Sequence, residues 1–534
     1  MGTATTTVSA PGKILLAGGY LVLESPNVGL VVAVDKRFFT TVQFLNTTPT
    51  ETTVETMADT LRITVQSPQF GQEWKYLYHK INGTLSPDND KRTKISANPF
   101  VEKTLRVSLA YLTASSSTTT TTATATAIAR SCASKTKIQQ AVSLRITILA
   151  DNDFYSLVPH LHDRHLDQSL GSVHQLPLFL PAATNADGRI LKTGLGSSAA
   201  LVTSLVGALC HATLDAIDTN RAACNDDDDS NNKLTRVIAN LAQVCHCHAQ
   251  GKVGSGFDVS SACYGSHVYQ RFPAATLADL LTALDRCDAD ANAAATEATK
   301  EKQQETIDLL MSTVQQTWTG GVVAPLQLPA VLQVMLADVS GGSESPSMAR
   351  TVLQWKQQFE STQVEATAST AAAAAVIPYW DDLQRINQTI VQLLQRIAAT
   401  PVSAHEKQAL VTSRADDYQK GGDCIMSLLY QLHQAFQESR RHLKAMGDAA
   451  GVPIEPDAQT ALADATLQLP GVVTALVPGA GGYDAVACVY INDETVRQNI
   501  GQLWATWSEA KVCPLTIQGV SYGQGLCLEP HPPN

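Results

Sequence analysis

Residues 192–200 read KTGLGSSAA and lead directly into the apolar run LVTSLVGAL. This order predicts a glycine loop followed by a helix over about residues 199–212. The first turn of a helix has unpaired N–H groups and a positive dipole end, and anions bind there readily. Gly194 and Gly196 would let the backbone approach a phosphate without a Cβ in the way. The hydroxyls of Ser197 and Ser198 could then donate to phosphate or coordinate Mg²⁺.

A simple serine cap after a flexible loop would give a similar pattern. The sequence has Gly-Lys at 12–13 and at 251–252, and neither pair completes a Walker loop, G-x-x-x-x-G-K-[ST]. The pair ending in Lys13 has Thr7 in place of the first glycine, and the pair ending in Lys252 has His246. The chain is therefore not a P-loop NTPase.

Three further glycine-containing segments flank the loop. Residues 9–24 read SAPGKILLAGGYLVLE and place Lys13 at a Pro-Gly turn. Residues 251–260 read GKVGSGFDVS and place Asp258 after three closely spaced glycines, and residues 478–485 read PGAGGYDA between two strand-like runs. Taken singly, they also fit an exposed turn lysine, an aspartate cap and a hairpin turn.

Bulk composition limits the class of protein. The chain has 534 residues with 44 % hydrophobic residues, which is enough for at least two domains. The net charge of −11 lacks the positive footprint that nucleic acid requires. Eleven scattered cysteines, no signal peptide and no apolar run of membrane-spanning length predict a cytoplasmic protein with free thiols and no membrane insertion.

Periodicity predicts a mixed α/β chain with a domain boundary near residue 325, giving domains 1–325 and 326–534. We expect strands within 8–44 and at 61–66, 142–150, 331–339, 472–477 and 485–491. Helical stripes predict helices over 233–249, around 383–397 and around 425–436, the last one capped by Gly447. Four segments of biased composition, 114–127, 225–232, 287–305 and 361–375, are predicted to be surface insertions, and the acidic run in the second one to be a solvated loop tip.

Together, P-G-K near the N-terminus, G-L-G-S-S-A in the centre and G-A-G-G near the C-terminus resemble the three signature motifs of the GHMP kinases. The likeness runs from residue 9 to about 490 and implies a two-domain α/β fold with its active site in the cleft between the domains. Gly-Gly-Tyr at 18–20, Lys-Thr at 192–193, Asn-Pro-Phe at 98–100, Asp-Asn-Asp-Phe-Tyr at 151–155 and the surroundings of Asp258 resemble the phosphomevalonate kinase branch rather than mevalonate kinases.

This resemblance implies an enzyme that uses ATP and Mg²⁺ to phosphorylate (R)-5-phosphomevalonate. It implies Lys13 and Asp258 as catalytic residues, ATP contacts from Lys192, Gly194, Leu195, Gly196, Ser197, Ser198 and Ala199, and Ser198 as a metal ligand. The substrate contacts that we expect are Lys13, Gly19, Tyr20, Lys192, Ser255, Gly256, Gly481 and Gly482. Another small-molecule kinase of the family, such as mevalonate kinase, or an inactive ligand sensor are the alternatives, and the protein is expected to be a monomer or homodimer.

Two other segments bear on the site. Residues 340–350, SGGSESPSMAR, follow a strand and precede a helix, so Ser343 and Arg350 are candidates for holding the substrate, with an ordinary capped loop as the alternative. The run Cys245-His246-Cys247-His248 has the composition of a zinc site. Helical spacing would scatter the four side chains around the axis, so we do not predict zinc there.

Overall fold

The computed structural model describes ten stretches of the chain, and everything structural below refers to them. They are 5–45, 59–88, 98–117, 137–185, 187–214, 227–289, 297–339, 345–367, 379–420 and 424–533.

The strands of these stretches form two sheets. They are β1 (Thr5–Ala17), β2 (Val28–Leu45), β3 (Thr60–Ser67), β4 (Gln72–His79), β5 (Thr84–Pro87), β6 (Ser143–Ala150), β7 (His267–Gln270), β8 (Val322–Pro325), β9 (Leu332–Val339), β10 (Val472–Leu476), β11 (Ala485–Ile491), β12 (Val512–Pro514), β13 (Gly519–Val520) and β14 (Cys527–Glu529). This confirms the strands that the sequence predicted.

The larger sheet is built around the long antiparallel pair of β1 and β2. Its main path runs β14-β1-β2-β6-β3-β4-β5, and only β3 and β6 pair in parallel. The register of β1 on β2 shifts between Pro11 and Lys13 and again between Leu15 and Ala17. Such an irregularity bends a strand and redirects its side chains, and here it lies at the Lys13 that the sequence singles out.

The smaller sheet has the order β10-β11-β9-β12 and uses strands from the second half of the chain. After β12 the chain returns to the larger sheet, where β13 pairs with β2 and β14 pairs with β1. The division into domains at residue 325 stays a proposal. The last two short strands belong to the sheet of the first half, which local periodicity does not reveal.

Helices cover the sheets and carry most of the remaining core. They are α1 (Pro99–Ser117), α2 (Lys137–Gln140), α3 (Val158–Asp163), α4 (Leu170–Val173), α5 (Ser197–Leu214), α6 (Asp227–Gln250), α7 (Phe257–Tyr264), α8 (Ala275–Ala289), α9 (Glu297–Gln315), α10 (Ser345–Thr367), α11 (Trp380–Ala398), α12 (Ala404–Thr412), α13 (Cys424–Ala450), α14 (Asp457–Leu467) and α15 (Glu494–Ala505). Helix α5 packs on β1 and β2, and α6 packs on α1 and α5. Helix α5, which follows the glycine loop, is therefore held between the larger sheet and helices α1 and α6.

Two sequence predictions about helix ends were wrong. Gly447 lies inside α13 rather than at its end, and the residue with left-handed backbone after that helix is Gly451, with φ 65°. The acidic run predicted as a loop tip is helical from Asp227 onward, at the start of α6. Acidic residues suit that position because a helix N-terminus carries the positive end of the helix dipole.

Each predicted insertion falls partly outside the described residues. Residues 118–127, 225–226, 290–296 and 368–375 lie there, whereas the remaining residues of the four segments belong to helices. Among the helices that are described, none is both long enough and apolar enough to cross a membrane.

The position of Gly447 inside α13 can be tested by its effect on stability. Alanine normally stabilises a helix interior by about 1 kcal/mol relative to glycine. At 447 the added Cβ would lie 2.6 Å from the carbonyl oxygen of Val452. We therefore expect Gly447→Ala to destabilise the protein by about 1–3 kcal/mol, as overpacking does, and to lower the melting temperature in scanning calorimetry.

A matched control is Gly171→Ala in α4, where the nearest atom to the added Cβ is Ser169 Oγ at 3.8 Å. Its melting temperature should be unchanged or higher. A Gly447→Ala protein that melts at or above the wild-type temperature would contradict the packing argument.

Candidate active site

The glycine loop reaches α5 through backbone conformations that favour glycine. Gly194 and Gly196 have φ of 80° and 78°. Thr193, just before the two glycines, anchors the loop: its hydroxyl donates to the carbonyl of Asp153 at 2.5 Å. At the first turn of α5, Ser197 and Ser198 face a cavity of about 600 Å³. The loop thus has left-handed backbone at both glycines and leads into a helix N-terminus that borders a cavity, and phosphate binding there stays a prediction.

Lys13 lies directly on this loop. Its backbone N–H donates to the carbonyl of Leu195 at 2.9 Å, and its Nζ donates to the carbonyl of Gly194 at 2.8 Å. A Cβ on Gly196 would lie only 3.2 Å from Lys13 Cε. The alkyl chain of the lysine therefore crosses the loop where glycine leaves room for it.

Asp258 lies in the first turn of α7, and its charge acts on Lys13. That helix begins after Gly256, whose φ is 86° and whose Cβ would lie 2.6 Å from the hydroxyl of Tyr269. Asp258 Oδ1 accepts the N–H of Val259 at 2.9 Å, and its side chain is 19 % exposed. Burial lowers the pKa of Lys13, and the charge of Asp258 works against that lowering. The two predicted catalytic residues therefore interact electrostatically.

A residue that the sequence analysis did not assign to the site, His246 of α6, lies between Ser198 and Asp258. Its Nε2 is 3.1 Å from Ser198 Oγ and 3.8 Å from Asp258 Oδ2. Burial lowers the pKa of His246, the charge of Asp258 opposes this, and Lys192 adds to the lowering. These effects favour a neutral imidazole.

The other members of the Cys-His run point elsewhere, as helical spacing predicts. Their neighbours are Ser108 for Cys245, Gln243 for Cys247, and Asp288 with Arg106 for His248. Asp288 also pairs with Arg106 at 2.5 Å and lies 3.7 Å from Lys103. His248, Asp285 and Asp288 thus form an ion-pair network with Lys103 and Arg106, away from Cys245, His246 and Cys247.

Lys192 and the segment before Asp258 complete the surroundings of the loop. Lys192 is exposed and lines the cavity together with the two serines. Ser255 is half-buried, and its carbonyl accepts the hydroxyl of Tyr269 at 2.8 Å. These residues lie where the sequence placed them, beside the loop and at the start of α7.

The residues of the first and last motifs contact one another. Tyr20 is 3 % exposed, and its hydroxyl donates to the carbonyl of Ala480. A Cβ on Gly19 would lie 2.5 Å from the carbonyl of Gly479, and one on Gly481 would lie 2.2 Å from the carbonyl of Ile454. The G-A-G-G turn is therefore packed backbone to backbone against its neighbours.

The remaining candidates lie around this turn or beyond the described residues. The N–H of Gly482 donates to the carbonyl of Ile454 at 3.0 Å. Arg350 is exposed on α10, whose Met348 packs in one cluster with Tyr20. Ser343 lies outside the described residues. Substrate binding by this group stays a prediction.

The cavity beside the loop has walls that the sequence analysis did not assign to a ligand. Phe70, Pro99, Phe100 and Tyr155 line it together with Lys192, Ser197 and Ser198. Two of the segments that carried the resemblance, 98–100 and 151–155, thus border the cavity. Their conspicuous Asn-Pro-Phe and Phe-Tyr pairs were the signal that could have marked it.

Comparison with known proteins identifies the family. The chain is 32 % identical to the phosphomevalonate kinase of Gibberella zeae, over 97 % of this chain and 96 % of that protein. It is 31 % identical to the peroxisomal phosphomevalonate kinase of Arabidopsis thaliana, over 98 % and 95 % of the two chains.

No family model matches the sequence. Among solved structures, the phosphomevalonate kinase of Streptococcus pneumoniae in complex with phosphomevalonate and AMPPNP aligns with a TM-score of 0.51 at 12 % identity. The alignment covers 97 % of this chain and 100 % of that one, and at this identity it supports the fold alone. On the strength of the two full-length relatives, this chain belongs to the phosphomevalonate kinase family.

Proposed function

We propose that this chain transfers the γ-phosphoryl group of ATP to the phosphate of (R)-5-phosphomevalonate, giving (R)-5-diphosphomevalonate and ADP. The observation that carries the proposal is the convergence of Lys13, Ser198 and Asp258 on one glycine loop beside a cavity. The full-length relatives supply the substrate, because they are named phosphomevalonate kinases.

The cavity is the proposed nucleotide pocket. Its aromatic and proline walls suit a flat purine ring, since aromatic faces stack on one another and on apolar edges. Ser197 and Ser198, at the first turn of α5, also line the cavity. A nucleotide that places its base between Phe70 and Phe100 would extend its phosphates towards the helix N-terminus.

Ser198 is the proposed protein ligand for Mg²⁺. This ion prefers hard oxygen ligands and usually keeps phosphate oxygens and waters in its shell. Ser198 Oγ and the Asp258 carboxylate both lie within 4 Å of the same nitrogen of His246, so a hydroxyl and a negative charge face one region. This donor set fits Mg²⁺, which when bound would neutralise charge on the nucleotide phosphates.

Lys13 is the proposed bridge between the donor and acceptor phosphates. Two phosphate groups must approach each other against their mutual repulsion, and a fixed cation lowers that cost without reorganising during the reaction. The loop holds the lysine at its backbone and at Nζ. Phe257 adds a weak attraction, with its ring centroid 5.6 Å from Nζ. Lys192, which is exposed and lines the cavity, is proposed as a second cation, for the phosphate of the acceptor.

Asp258 is proposed to keep Lys13 charged and oriented rather than to remove a proton. The acceptor is a phosphate monoester, whose second pKa of about 6 leaves it largely dianionic at pH 7. It needs little deprotonation. The electrostatic coupling of Asp258 to Lys13 supplies the alternative role, because it counteracts the lowering of the lysine pKa by burial.

Two other properties stay predictions. The expected cytoplasmic location agrees with the free thiols of the described cysteines, which are typical of reducing compartments. The relative from Arabidopsis thaliana, however, is named as peroxisomal, so microscopy of a fluorescent fusion should decide. The expected monomer or homodimer requires a measurement of mass in solution.

Substrate choice tests the function directly. We expect the purified protein with MgATP to release ADP with (R)-5-phosphomevalonate but not with (R)-mevalonate or (R)-5-diphosphomevalonate. Lys13→Ala should lower kcat by about 100- to 1,000-fold, the usual loss for a residue that stabilises transition-state charge. Turnover on mevalonate would make the chain a mevalonate kinase. ATP binding without turnover on any of the three would favour a ligand sensor.

The role of Asp258 predicts a direction on the pH axis. Catalysis by Lys13 needs its protonated form, so kcat/KM falls as pH rises through the pKa of the lysine in the free enzyme. Asp258→Asn removes the charge that raises this pKa. The alkaline loss of kcat/KM should therefore begin at lower pH in the variant than in wild type.

A general base at 258 predicts the opposite behaviour. The variant would then gain rate steadily with pH, as hydroxide takes over the missing function. An Asp258→Asn enzyme with wild-type rate and pH profile would contradict both roles.

Phe70 tests the nucleotide pocket. It is partly buried, lines the cavity and contacts Tyr155 edge to face, with centroids 5.8 Å apart. Phe70→Ala should raise KM for ATP by about 10-fold, the loss of one aromatic contact of roughly 1.4 kcal/mol. KM for phosphomevalonate should not change.

The matched control is Phe44→Ala. Phe44 is a partly buried phenylalanine of β2 that packs against the hydrophobic core and does not line the cavity. The substitution should lower the melting temperature and leave both KM values unchanged. If Phe70→Ala raises the two KM values equally, the cavity is not specific to the nucleotide.

A further inference from the structure

His246 is held rigidly beside the glycine loop. Its side chain is 2 % exposed, and its ring lies 5.7 Å from that of Phe100, measured between centroids. It comes from α6, whereas Ser198 belongs to α5 and Asp258 to α7. One imidazole nitrogen therefore faces groups from two other helices that converge on the proposed site.

The neighbours of Nε2 indicate that this nitrogen accepts hydrogen bonds. Ser198 Oγ lies at 3.1 Å, and the side-chain amide Nε2 of Gln250 lies at 3.3 Å. A hydroxyl and an amide N–H can both donate, so both suit an unprotonated ring nitrogen. Asp258 Oδ2, which can only accept when ionised, is farther away at 3.8 Å. The ring proton then resides on Nδ1.

Such an acceptor matters for the chemistry of Ser198. A serine that coordinates a cation must point an oxygen lone pair at the ion and send its proton elsewhere. A free hydroxyl rotates and divides its time between donating to phosphate and facing a metal. An acceptor fixed at 3.1 Å on the protein side removes that freedom.

We infer that His246 is a positioning residue that accepts a hydrogen bond from the hydroxyl of Ser198 and thereby keeps a lone pair of the serine oxygen directed at the metal-nucleotide complex. It acts through Ser198 and does not touch the substrates. The inference rests on the proposed function for the identity of that complex, and it adds a histidine to a site otherwise made of lysine, serine and aspartate.

The test compares His246→Leu with His246→Gln. Leucine fills similar space without an acceptor, whereas the glutamine amide oxygen can accept a hydrogen bond from the serine hydroxyl. Calorimetry should measure the affinity for ADP with excess Mg²⁺ and, separately, for ADP in EDTA. In the leucine variant we expect affinity for MgADP to fall about 10- to 100-fold, as when an outer partner of a metal ligand is lost. Affinity for metal-free ADP should not change.

Three comparisons sharpen the result. His246→Gln should recover most of the lost affinity. Ser198→Ala, which removes the oxygen ligand itself, should lose at least as much affinity for MgADP as His246→Leu. The double variant should lose no more than Ser198→Ala alone, because the histidine acts only through the serine. His433→Leu replaces another buried histidine, whose Nδ1 lies 2.8 Å from the Val473 carbonyl. It should lower the melting temperature and leave the MgADP preference intact.

The outcomes separate this inference from the proposed function. A folded His246→Leu protein that keeps the wild-type preference for MgADP overturns the inference, as do additive losses in the double variant. If His246→Leu does not fold, His246→Ala, which also lacks an acceptor, takes its place, and its combination with Ser198→Ala decides by the same additivity. A wild type that binds MgADP as expected but does not phosphorylate phosphomevalonate overturns the function and leaves the role of His246 standing.

Discussion

The hydrogen bond from the backbone of Lys13 to Leu195 joins the first strand of the larger sheet to the loop before α5. Because this hydrogen bond joins two backbones, it fixes the position of the strand relative to the N-terminus of α5 independently of the surrounding side chains. The Nζ contact with Gly194 then holds the lysine along the loop. The cation and the helix dipole thus act on the same small volume, where developing negative charge would be stabilised most strongly.

Three helices meet at this volume and each contributes one polar group. Helix α5 brings Ser198, α6 brings His246 and α7 brings Asp258. The burial that positions them also affects their charge, lowering the pKa of both Lys13 and His246. Asp258 offsets this effect at the lysine, which is how the site can keep a cation in a half-buried place.

A different constraint holds the last motif in place. Gly19 and Gly479 approach so closely that a Cβ on Gly19 would lie 2.5 Å from a carbonyl oxygen, and Gly481 approaches Ile454 in the same way. Backbone packing is therefore one reason for glycine at both positions, and substrate binding there stays a prediction. The motif nevertheless joins β10 and β11 of the smaller sheet to the end of β1, since the N–H of Gly479 donates to Leu15 at 3.1 Å. It therefore couples the second half of the chain to the strand that carries Lys13.

Local sequence determined the elements and the position of the loop. Apolar and β-branched runs located β2 and β9, and helical stripes located α6, α11 and α13, because burial repeats along the chain with the period of the element. Glycine spacing located residues 194–196 because their backbone angles are local. What only the tertiary structure decided depends on contacts distant in sequence. The Cys-His run on α6 does not reveal which side chain faces the loop, and Gly447 resembles a helix end until Val452 is seen against it. The return of β13 and β14 to the larger sheet also depends on contacts distant in sequence, since they pair with β2 and β1. Periodicity reports whether a residue is buried, whereas the identity of its neighbour is set by how separate elements pack.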